Sequence, residues 1–372
     1  MKNLHLMPMN SVFDDDFITE INSNFSHSQN VFFHKKQREK LVDVDNSFVV
    51  PDAFTPEYIN DHAEEYNKIF LHSLFLSPDE ILRLTDNAAK KIVWIVWGHD
   101  LYTVKKKQKW TASRFVKESI HAVKKIIRGT YIRAYRKKRA VADKVSKFHA
   151  IGIGYSYDEK EIRKKYGKSV PVVYGPYFSR TTQEKVDKLR EMHLSKQDHT
   201  VNILIGHSGF DFLEHEKYLQ KLGHYKDKDI CVHMVLSYGA SEDRIQKLSE
   251  MAISIFGEEK CNIITKMMAK NDYYEYLTSI DIAIFPFVHQ SALGNTKRLA
   301  YMGTKLYFHP DGILSKGFKQ DGMKVYDCRE IGEVPFEQFI MNDFIPKPSI
   351  PLFNTFNYQR NIEAWKQLLG AD

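Results

Sequence analysis

One stretch of the chain, Asp281–Phe308, has residue types and spacing suited to holding phosphate. It starts with a β-branched and aromatic run that predicts a buried strand, followed by a loop of small polar residues. Asn295 is expected to cap a helix that ends at Gly303. Gly294 has no side chain to keep an anion from the backbone, and the amides of Asn295, Thr296 and the next residue are expected to be unpaired at a positive helix end. The stretch therefore predicts a phosphate site, with an ordinary capped turn as the alternative.

Two earlier loops in the same half of the chain are similar. An apolar strand at 201–205 leads into Gly206, His207 and Ser208, and a second strand ends just before Tyr238 and Gly239. The glycine spacing matches neither the P-loop nor the dinucleotide-binding fingerprint. The loops therefore predict a cradle for phosphate without identifying the nucleotide.

In the first half, residues able to move a proton follow two predicted strands. His72 ends one strand, and Asp100 lies in the segment Trp97–Tyr102 (WGHDLY) that follows the next. The carboxyl ends of parallel strands form the ligand crevice of an open sheet. Asp100 is our first candidate for a general base, His72 the second and the acidic cluster Asp14–Asp16 the third. The alternatives are that Asp100 caps the following turn and that His72 is structural.

The elements that must position these residues alternate between strand and helix. Ser77 and Glu80 form the clearest helix start, a capping box. Alternation with short loops predicts the α/β class, here two doubly wound Rossmann-like domains facing each other across a cleft. A chain of 372 residues also exceeds one core. We expect an N-terminal acceptor-binding, membrane-facing domain at 1–196, a C-terminal nucleotide-sugar domain at 197–350, and a terminal helix at 351–372 that packs back toward the first domain.

Composition excludes several classes of protein. No apolar run approaches the roughly 20 residues of a membrane span, and the first residues have no secretory apolar core, so we expect a cytoplasmic protein. The three cysteines are widely spaced, which predicts neither a disulfide framework nor a zinc site. The complete P-loop pattern, Gly-x-x-x-x-Gly-Lys-Ser/Thr, is absent, which argues against a kinase or ATPase. We therefore expect no metal and no cofactor.

The net charge of +7 hides a strongly basic segment, Lys105–Lys147, with sixteen Lys or Arg against two acids. Apolar and aromatic residues recur there at roughly helical spacing, which is typical of a basic amphipathic helix on an anionic membrane. A helix that follows nucleic-acid phosphates is the alternative, but no nucleic-acid motif accompanies it, so we expect no nucleic-acid partner. A third interpretation packs part of the apolar positions on the domain's own core, which would leave only the cations outward. The residues expected at the membrane are Lys124, Lys125, Arg128, Arg136, Lys137, Lys138 and Arg139.

Five short motifs occur in a fixed order between about Leu71 and Phe308: HSLF, WGHDLY, GHSG with a following Glu-His, SYG, and YLTSIDIAIF with HQSALGN. In this order they resemble the bacterial TDP-N-acetylfucosamine:lipid II N-acetylfucosaminyltransferase family. These are GT-B glycosyltransferases, also called 4-alpha-L-fucosyltransferases, of surface-polysaccharide assembly. The resemblance implies an enzyme that moves a sugar from a nucleotide diphosphate to a polyprenyl-diphosphate-linked saccharide, on the inner face of the plasma membrane.

The resemblance also implies two sets of contacts, and a cation from Lys297, Arg298 or Lys305. The donor is expected at Gly206, His207, Ser208, His215, Tyr238, Gly239, Gln290, Gly294, Asn295 and Thr296. The acceptor is expected at Trp97, Gly98, His99, Tyr102 and Asp14.

Two departures from the family pattern affect the donor pocket. His207 stands where the family more often has Asn, and His289-Gln290-Ser291 replaces Arg-Gln-Gln. The sugar and nucleotide therefore stay open, and UDP-galactose or a UDP-N-acetylhexosamine is an alternative donor. Two further alternatives are a non-enzymatic nucleic-acid-binding protein and a degenerate transferase that acts as a scaffold.

Overall fold

A computed structural model describes residues 2–8, 12–36, 45–102, 129–176, 178, 183–197 and 199–370. Within these ranges the strands form two sheets in which every pairing is parallel. The first sheet has the order β3-β2-β1-β4-β5-β6-β7. Its strands are β1 (Lys2–Met7), β2 (Gln29–His34), β3 (Ser47–Val49), β4 (Lys68–His72), β5 (Ile92–Ile95), β6 (Ala150–Ile153) and β7 (Val172–Tyr174).

The second sheet repeats this plan in the order β10-β9-β8-β11-β12-β13. Its strands are β8 (Val201–Ile205), β9 (Ile230–Val235), β10 (Cys261–Ile264), β11 (Ile282–Phe285), β12 (Lys305–Phe308) and β13 (Tyr326–Asp327). In both sheets the strand order reverses beside the first strand, between β1 and β4 and between β8 and β11. Ligands of doubly wound folds bind at the carboxyl ends of strands at such a switch point. The predicted α/β class with two doubly wound domains is confirmed.

Most of the described α-helices connect these strands, as expected for parallel sheets, and the last two follow β13. They are α1 (Val12–Asn24), α2 (Pro56–Asp61), α3 (Pro78–Arg83), α4 (Asp86–Lys91), α5 (Thr130–Val145), α6 (Ser156–Tyr166), α7 (Gln183–Leu194), α8 (His215–Leu222), α9 (Glu242–Phe256), α10 (Lys270–Leu277), α11 (Leu293–Met302), α12 (Ile313–Gln320), α13 (Phe336–Ile340) and α14 (Tyr358–Leu369). The capping box predicted for α3 is present, with the Ser77 side chain and the Glu80 carboxylate each bonded to the other's backbone amide.

The chain divides into two compact units, residues 1–178 with 359–372, and residues 179–358. The division therefore falls before α7, whereas the sequence placed the linker after it, at residue 197. The reason is that α7 packs within the second unit. Arg190 donates to the Tyr301 carbonyl and His193 Nδ1 lies 2.8 Å from the Thr278 carbonyl. Lys196, just beyond the helix, pairs with Asp281 at 2.8 Å.

The terminal helix α14 belongs to the first unit although it closes the chain. Trp365 is fully buried, and its indole nitrogen donates to the Pro176 carbonyl at 2.8 Å. The Asn361 side chain donates to the Gly175 carbonyl at 3.0 Å. These bonds hold the last helix against the end of β7.

One strand of the first sheet was missed in the sequence. β2 pairs with β1 along its whole length, from Lys2 opposite Gln29 to Met7 opposite His34. Only its centre, Val31–Phe33, has the β-branched and aromatic character of a strand, and polar residues flank it on both sides. Pairing with the buried strand β1 stabilises the strand where local propensity is weak.

Candidate functional site

The glycine that follows β8 is required by the fold of the second unit. Gly206 has a positive φ of 69°, and a Cβ there would lie 2.8 Å from the Leu213 side chain. Its amide donates to the Ile284 carbonyl at 2.9 Å. The expectation that the Gly206 amide is free for phosphate is therefore wrong, because that amide extends the ladder between β8 and β11. No described residue accepts a hydrogen bond from the next two amides, those of His207 and Ser208.

His207 links the two loops at the switch point of the second sheet. Its Nε2 lies 3.3 Å from the Ser291 hydroxyl, which belongs to the loop after β11. The side chain is 6% exposed, and its Nδ1 has no hydrogen-bond partner among the described residues. Burial, followed by the neighbouring charges of His215 and His289, lowers the pKa of His207 to about 4. A neutral ring with one uncommitted buried nitrogen is typical of a ligand-binding position.

The helix α11 begins earlier than the sequence indicated. Ala292 precedes it with a left-handed φ of 52°, and the first helical residue is Leu293. The Thr296 amide donates to the Ala292 carbonyl at 2.9 Å, and its hydroxyl bonds to backbone carbonyls of the same turn. The expected cap at Asn295 and the expected free amide at Thr296 are therefore wrong. The amides without an intrahelical acceptor are those of Leu293, Gly294 and Asn295.

The space beside this helix start is open. A Cβ placed on Gly294 would meet no atom within 4 Å, and the residue has no positive φ. Nothing in the described fold therefore requires glycine at this position, whereas a bulkier residue would cover the free amides. The Asn295 side chain is held away, since it donates to the Tyr273 hydroxyl at 3.1 Å. The buried Oε1 of Gln290 has no partner among the described residues, which is a second uncommitted polar atom in this loop.

The loop after β9 completes this edge of the sheet. The Gly209 amide donates to the Tyr238 carbonyl at 2.8 Å, which ties the loop after β8 to the loop after β9. Gly239 has a φ of 81°, and a Cβ there would lie 2.9 Å from the Phe210 ring. Tyr238 is 43% exposed, and its ring meets that of His207 edge-on at 6.4 Å. An exposed aromatic ring beside free amides is suited to a base or sugar face.

Two other predicted donor residues lie beneath the loops. Ser208 is fully buried, and its hydroxyl has no hydrogen-bond partner among the described residues. His215, the first residue of α8, is also fully buried, and burial together with the charge of Arg244 lowers its pKa to about 4. Arg244 in turn holds the loop, because its Nε donates to the Gly209 carbonyl at 2.9 Å.

The three cations expected near the diphosphate, Lys297, Arg298 and Lys305, lie at different places in the structure. Lys305 is wrongly predicted, because it begins β12, at the amino edge of the sheet. Its ammonium donates to the carbonyls of Gln338 and Phe339 at 3.1 and 2.6 Å. Lys297 and Arg298 lie in α11 and are nearly buried, with the guanidinium of Arg298 3.6 Å from the centre of the Tyr274 ring.

In the first unit, Asp100 organises the loops after β4 and β5. Its Oδ2 accepts hydrogen bonds from the Leu74 amide at 2.8 Å and from the Trp94 indole at 2.7 Å, and its Oδ1 accepts one from the Trp97 amide at 3.1 Å. Three of about four acceptor positions of the carboxylate are thus used by the protein itself. This geometry is that of a residue that fixes loops, which was the alternative to the base.

His72 ends β4 and is 5% exposed. Its Nε2 lies 3.1 Å from Nδ1 of His5, a fully buried residue of β1. Burial and the neighbouring His5 and His34 keep the pKa of His72 well below its ordinary value. The next residue, Ser73, has a φ of 84°, a conformation that non-glycine residues rarely adopt and that concentrates at functional sites.

The residues predicted to bind the acceptor differ in exposure and in their hydrogen bonds. His99 is exposed, and its Nε2 lies 3.1 Å from the Ser73 hydroxyl. Gly98 has a φ of 91° in the turn after the half-buried Trp97. Tyr102 donates to Asp158 Oδ1 at 2.6 Å inside the unit, so its hydroxyl is already committed. Asp14 is 2% exposed in the first turn of α1.

Sequence reasoning missed the buried polar row behind His72. Asn3 and His5 alternate with leucines along β1, and Asn30 of β2 lies beside them. Polar residues at alternate positions of a strand occupy one face. That alternation was the available signal for a buried polar network.

The basic helix α5 is exposed along its first part. Tyr131, Ile132 and Tyr135 are 62%, 52% and 60% exposed, whereas Val141 and Val145 are buried. The helix thus packs partly on the domain's own core, but the expectation that only cations remain outward is wrong, because those three apolar residues are exposed. Of the expected membrane residues, Arg136, Lys137, Lys138 and Arg139 are exposed in α5. Lys124, Lys125 and Arg128 lie outside the described residues.

In the described part of the chain, no cluster of three or more His, Cys, Asp or Glu side chains could hold a metal ion. No described helix is both long enough and apolar enough to cross a membrane.

Three solved structures share this fold. A glycosyltransferase from Rickettsia africae ESF-5 matches with a TM-score of 0.59 at 12% identity, over 100% of this chain and 99% of that chain. HepE (Alr3699) of Anabaena, in complex with UDP-glucose, matches with 0.56 at 10%, over 100% of both chains. Sucrose-phosphate synthase of Thermosynechococcus elongatus matches with a TM-score of 0.52 at 10% identity, over 99% of this chain and 95% of that chain. At these identities the likeness shows the GT-B fold alone.

No curated protein matches the chain. The family model described as 4-alpha-L-fucosyltransferase, glycosyl transferase group 56, matches residues 5–330. That match covers both sheets and confirms the family that the five motifs indicated. The chain therefore belongs to the group 56 glycosyltransferases of the 4-alpha-L-fucosyltransferase type and is a transferase enzyme with the GT-B fold.

Proposed function

We propose that this glycosyltransferase moves N-acetylfucosamine, or a related deoxysugar, from a nucleotide diphosphate to a polyprenyl-diphosphate-linked saccharide. The observation that carries the donor part is the set of free amides and uncommitted side-chain atoms at the switch point of the second sheet. The family description, which names a fucosyl group, supports the sugar class. The acceptor follows from the resemblance, and the exposed basic helix supports it.

Free amides would bind the diphosphate of the donor. Those of His207 and Ser208 follow β8, and those at the start of α11 follow the neighbouring strand β11. The aligned peptide dipoles of a helix place about half a positive charge at its start. Amides that are already oriented stabilise the charge that develops on a leaving diphosphate without reorganising. The open space at Gly294 lets an oxygen approach them.

The neutral side chain of His207 would also contact the diphosphate of the donor or its sugar. Its ring is buried and oriented by Ser291, and its pKa of about 4 leaves it uncharged near neutral pH. A neutral imidazole carries one proton and one lone pair, so it can donate to a phosphate oxygen or accept from a sugar hydroxyl. In either case, the buried Nδ1 gains the partner that the described residues do not supply.

The transfer itself needs a proton acceptor for the attacking hydroxyl. During transfer, the acceptor oxygen bonds to the anomeric carbon, the bond from that carbon to the diphosphate breaks, and the electron pair leaves with the diphosphate. The hydroxyl proton goes to a base, which accelerates such steps by roughly 10²–10⁴. We assign this role to His72, because the hydrogen bonds of Asp100 hold loops. The reaction as proposed uses no metal or cofactor.

The exposed face of α5 would hold the enzyme against an anionic membrane, on its cytoplasmic side, where the lipid-linked acceptor lies. Two tyrosines and an isoleucine are exposed on a helix that also carries Arg133, Arg136, Lys138 and Arg139. Each basic residue near an anionic surface contributes about 1 kcal/mol, and the aromatic rings suit the headgroup region. The buried end of the helix anchors it to the unit, with Lys144 bonded to Asp86 at 2.8 Å.

The donor test is a thermal-shift and calorimetric screen of the full chain against TDP-, UDP- and GDP-sugars. A TDP-deoxysugar is expected to bind most tightly, and the parent nucleoside without phosphates is expected to bind at least tenfold more weakly than the nucleoside diphosphate. Preference for a UDP-hexose would replace the proposed sugar while leaving the transferase intact. Equal binding of nucleoside and nucleoside diphosphate would remove the phosphate site.

The membrane test is sedimentation with vesicles of phosphatidylglycerol or of phosphatidylcholine. The chain is expected to sediment with the first only, and the triple variant Arg136→Glu, Lys138→Glu, Arg139→Glu is expected to stay in solution. The matched control reverses three exposed lysines of the second unit, Lys188, Lys266 and Lys316, and should still sediment. Binding that survives the first variant, or that is lost equally in both, contradicts the assignment of α5. A shift of RNA with no vesicle binding would favour the nucleic-acid alternative.

A further inference from the structure

A row of buried polar side chains connects the interior of the first sheet to His72. Asn30 on β2 determines the direction of the hydrogen bonds in this row. The Asn30 amide nitrogen donates to the Ser28 carbonyl at 3.3 Å, so the Asn30 Oδ1 faces the row. That oxygen accepts from Asn3 at 3.2 Å and lies 3.4 Å from His5 Nε2. A carbonyl oxygen can only accept, so Nε2 of His5 must carry a proton.

The proton on His5 determines the tautomer of His72. His5 is neutral, since burial lowers its pKa to about 3, and its Nδ1 is then a lone pair. His72 Nε2 lies 3.1 Å from this lone pair and must therefore be the donor. His72 is neutral as well, so its remaining lone pair lies on Nδ1. Among the described residues, none is hydrogen-bonded to that atom.

We propose that His5 is a positioning residue that holds His72 in the Nε2-protonated tautomer, so that Nδ1 of His72 takes the proton of the acceptor hydroxyl. This inference rests on the proposed sugar transfer. The proton leaves the hydroxyl for Nδ1 as the oxygen bonds to the anomeric carbon and the diphosphate departs with the bonding electrons. His72 becomes an imidazolium whose Nε2 proton is still bonded to His5, so the charge forms with its partner already in place.

The surroundings hold both rings in position. His5 is stacked between Phe32 and Phe70, at 4.7 and 4.4 Å between ring centres. Phe17 of α1 meets the His72 ring edge-on at 4.7 Å, and Trp365 of the terminal helix lies 6.5 Å away in a stacked orientation. The aromatic walls lower the local dielectric, which strengthens the hydrogen bond between the two histidines. They also explain why the last helix returns to the first unit.

The second unit contains a similar buried bond between a histidine and an asparagine, which has no role in the proposed proton transfer. His233 of β9 lies 2.9 Å from Asn202 Oδ1 of β8, and its other nitrogen lies 3.1 Å from the Tyr276 hydroxyl. His233 is 4% exposed, against 0% for His5, and it is not hydrogen-bonded to a second histidine. His233→Phe is therefore a matched control for the loss of a buried histidine–asparagine bond.

The first experiment determines tautomers in the full chain without any substrate. With ¹⁵N-labelled histidine, long-range ¹H–¹⁵N spectra distinguish a protonated from an unprotonated ring nitrogen, and the His72 signals are assigned by their loss in His72→Gln. His72 is expected to be protonated at Nε2 in the wild type and in His233→Phe. In His5→Phe it is expected to shift toward the Nδ1-protonated form. A wild-type His72 with its proton on Nδ1, or an unchanged tautomer in His5→Phe, overturns the inference.

The second experiment measures transfer with the donor selected by the nucleotide-sugar screen. His5→Phe keeps the aromatic stack but removes a buried hydrogen bond, so its Tm should fall no further than that of His233→Phe, while kcat falls at least tenfold with donor KM unchanged. His5→Asn should recover most of kcat, because the asparagine Oδ1 can replace Nδ1 as the acceptor for His72. His233→Phe should stay within twofold of wild type.

Wild-type kcat in His5→Phe, or no recovery in His5→Asn despite a wild-type Tm, contradicts the positioning role. Absence of any sugar transfer by the wild type contradicts the proposed function, and the tautomer measurement still decides the arrangement of His5 and His72.

Discussion

Nε2 of His207 lies 3.3 Å from the hydroxyl of Ser291, and this contact joins the loops that follow two neighbouring strands, β8 and β11. The sequence separates these residues by 84 positions. Both lie in the loops at which the sequence analysis placed departures from the pattern that the resemblance implies. Ser291 therefore orients the ring, whose second nitrogen has no partner among the described residues.

The first prediction concerns this pair. His207→Phe should weaken binding of a nucleoside diphosphate at least tenfold, because the ring position is filled but both nitrogens are lost. Ser291→Ala should weaken it about threefold, since it removes only the group that orients the ring. Isothermal titration calorimetry of each single variant and of the double variant measures the coupling, and the double variant should be no worse than His207→Phe. Additive losses would show that the residues act independently.

The second prediction uses the open space at Gly294. Gly294→Asp should raise the stability of the second unit by a few tenths to about 1 kcal/mol, because a carboxylate near a helix start interacts favourably with the helix dipole and glycine disfavours helix. The same carboxylate should weaken binding of the nucleoside diphosphate at least tenfold through charge repulsion. Gly294→Ala is the matched control and should show the gain in stability with a smaller loss of affinity. A stabilised Gly294→Asp variant that binds normally would place the phosphates elsewhere.

The third prediction concerns acid stability. Burial lowers the pKa of His5 to about 3 and of His207, His215 and His233 to about 4. In the unfolded chain each titrates near 6.5. Below that pH the unfolded state therefore binds more protons, and each histidine shifts the folding equilibrium toward unfolding by up to tenfold per pH unit until its folded pKa is reached.

Stability should accordingly be highest above pH 6.5 and fall steadily toward pH 5. Urea unfolding at pH 7.5, 6.5, 5.5 and 5.0 measures the slope. His233→Phe removes one titrating group and should reduce the proton uptake on unfolding by about one in this window. Carboxylates with lowered pKa values, such as Asp86 and Asp343 at about 2, act mainly below pH 4 and do not interfere. A flat profile between pH 7.5 and 5 would contradict the buried neutral histidines.

Much of the architecture could be predicted from local pattern. The capping box at Ser77 and the helix end at Gly303, with a left-handed φ of 103°, depend on residues within one turn and were predicted at the right positions. The parallel sheets followed from the alternation of strands and helices. β2 was missed because its stability comes from pairing with β1, which no local pattern shows.

The site was predicted at the level of loops but not of atoms. The loop with Gly294 was correctly singled out, yet the left-handed turn at Ala292 moves the start of the helix and changes which amides are free. Such a conformation is rare for alanine, so propensity argues against it. Likewise, Asp100 was singled out for its place after a strand, whereas one of its three donors, the Leu74 amide, lies 26 residues away in the loop after β4 and approaches only in the fold.

The last prediction separates the two roles of Asp100. Asn replaces one carboxylate oxygen by an NH₂ group, so Asp100→Asn cannot accept the hydrogen bonds of the Leu74 amide, the Trp94 indole and the Trp97 amide together. Each buried donor left without an acceptor costs about 1–3 kcal/mol, and a drop in Tm of several degrees is therefore expected.

If Asp100 only holds the loops, Asp100→Asn should lower kcat because the loops are less well ordered. Trp94→Phe removes one of the same hydrogen bonds and leaves the carboxylate in place. It should then show a smaller loss of both Tm and kcat. If Asp100 is the base, Asp100→Asn should abolish transfer with the same drop in Tm, whereas Trp94→Phe should stay active despite its own loss of Tm. Tm and kcat measured side by side for these two variants and His72→Gln decide between the carboxylate and the imidazole.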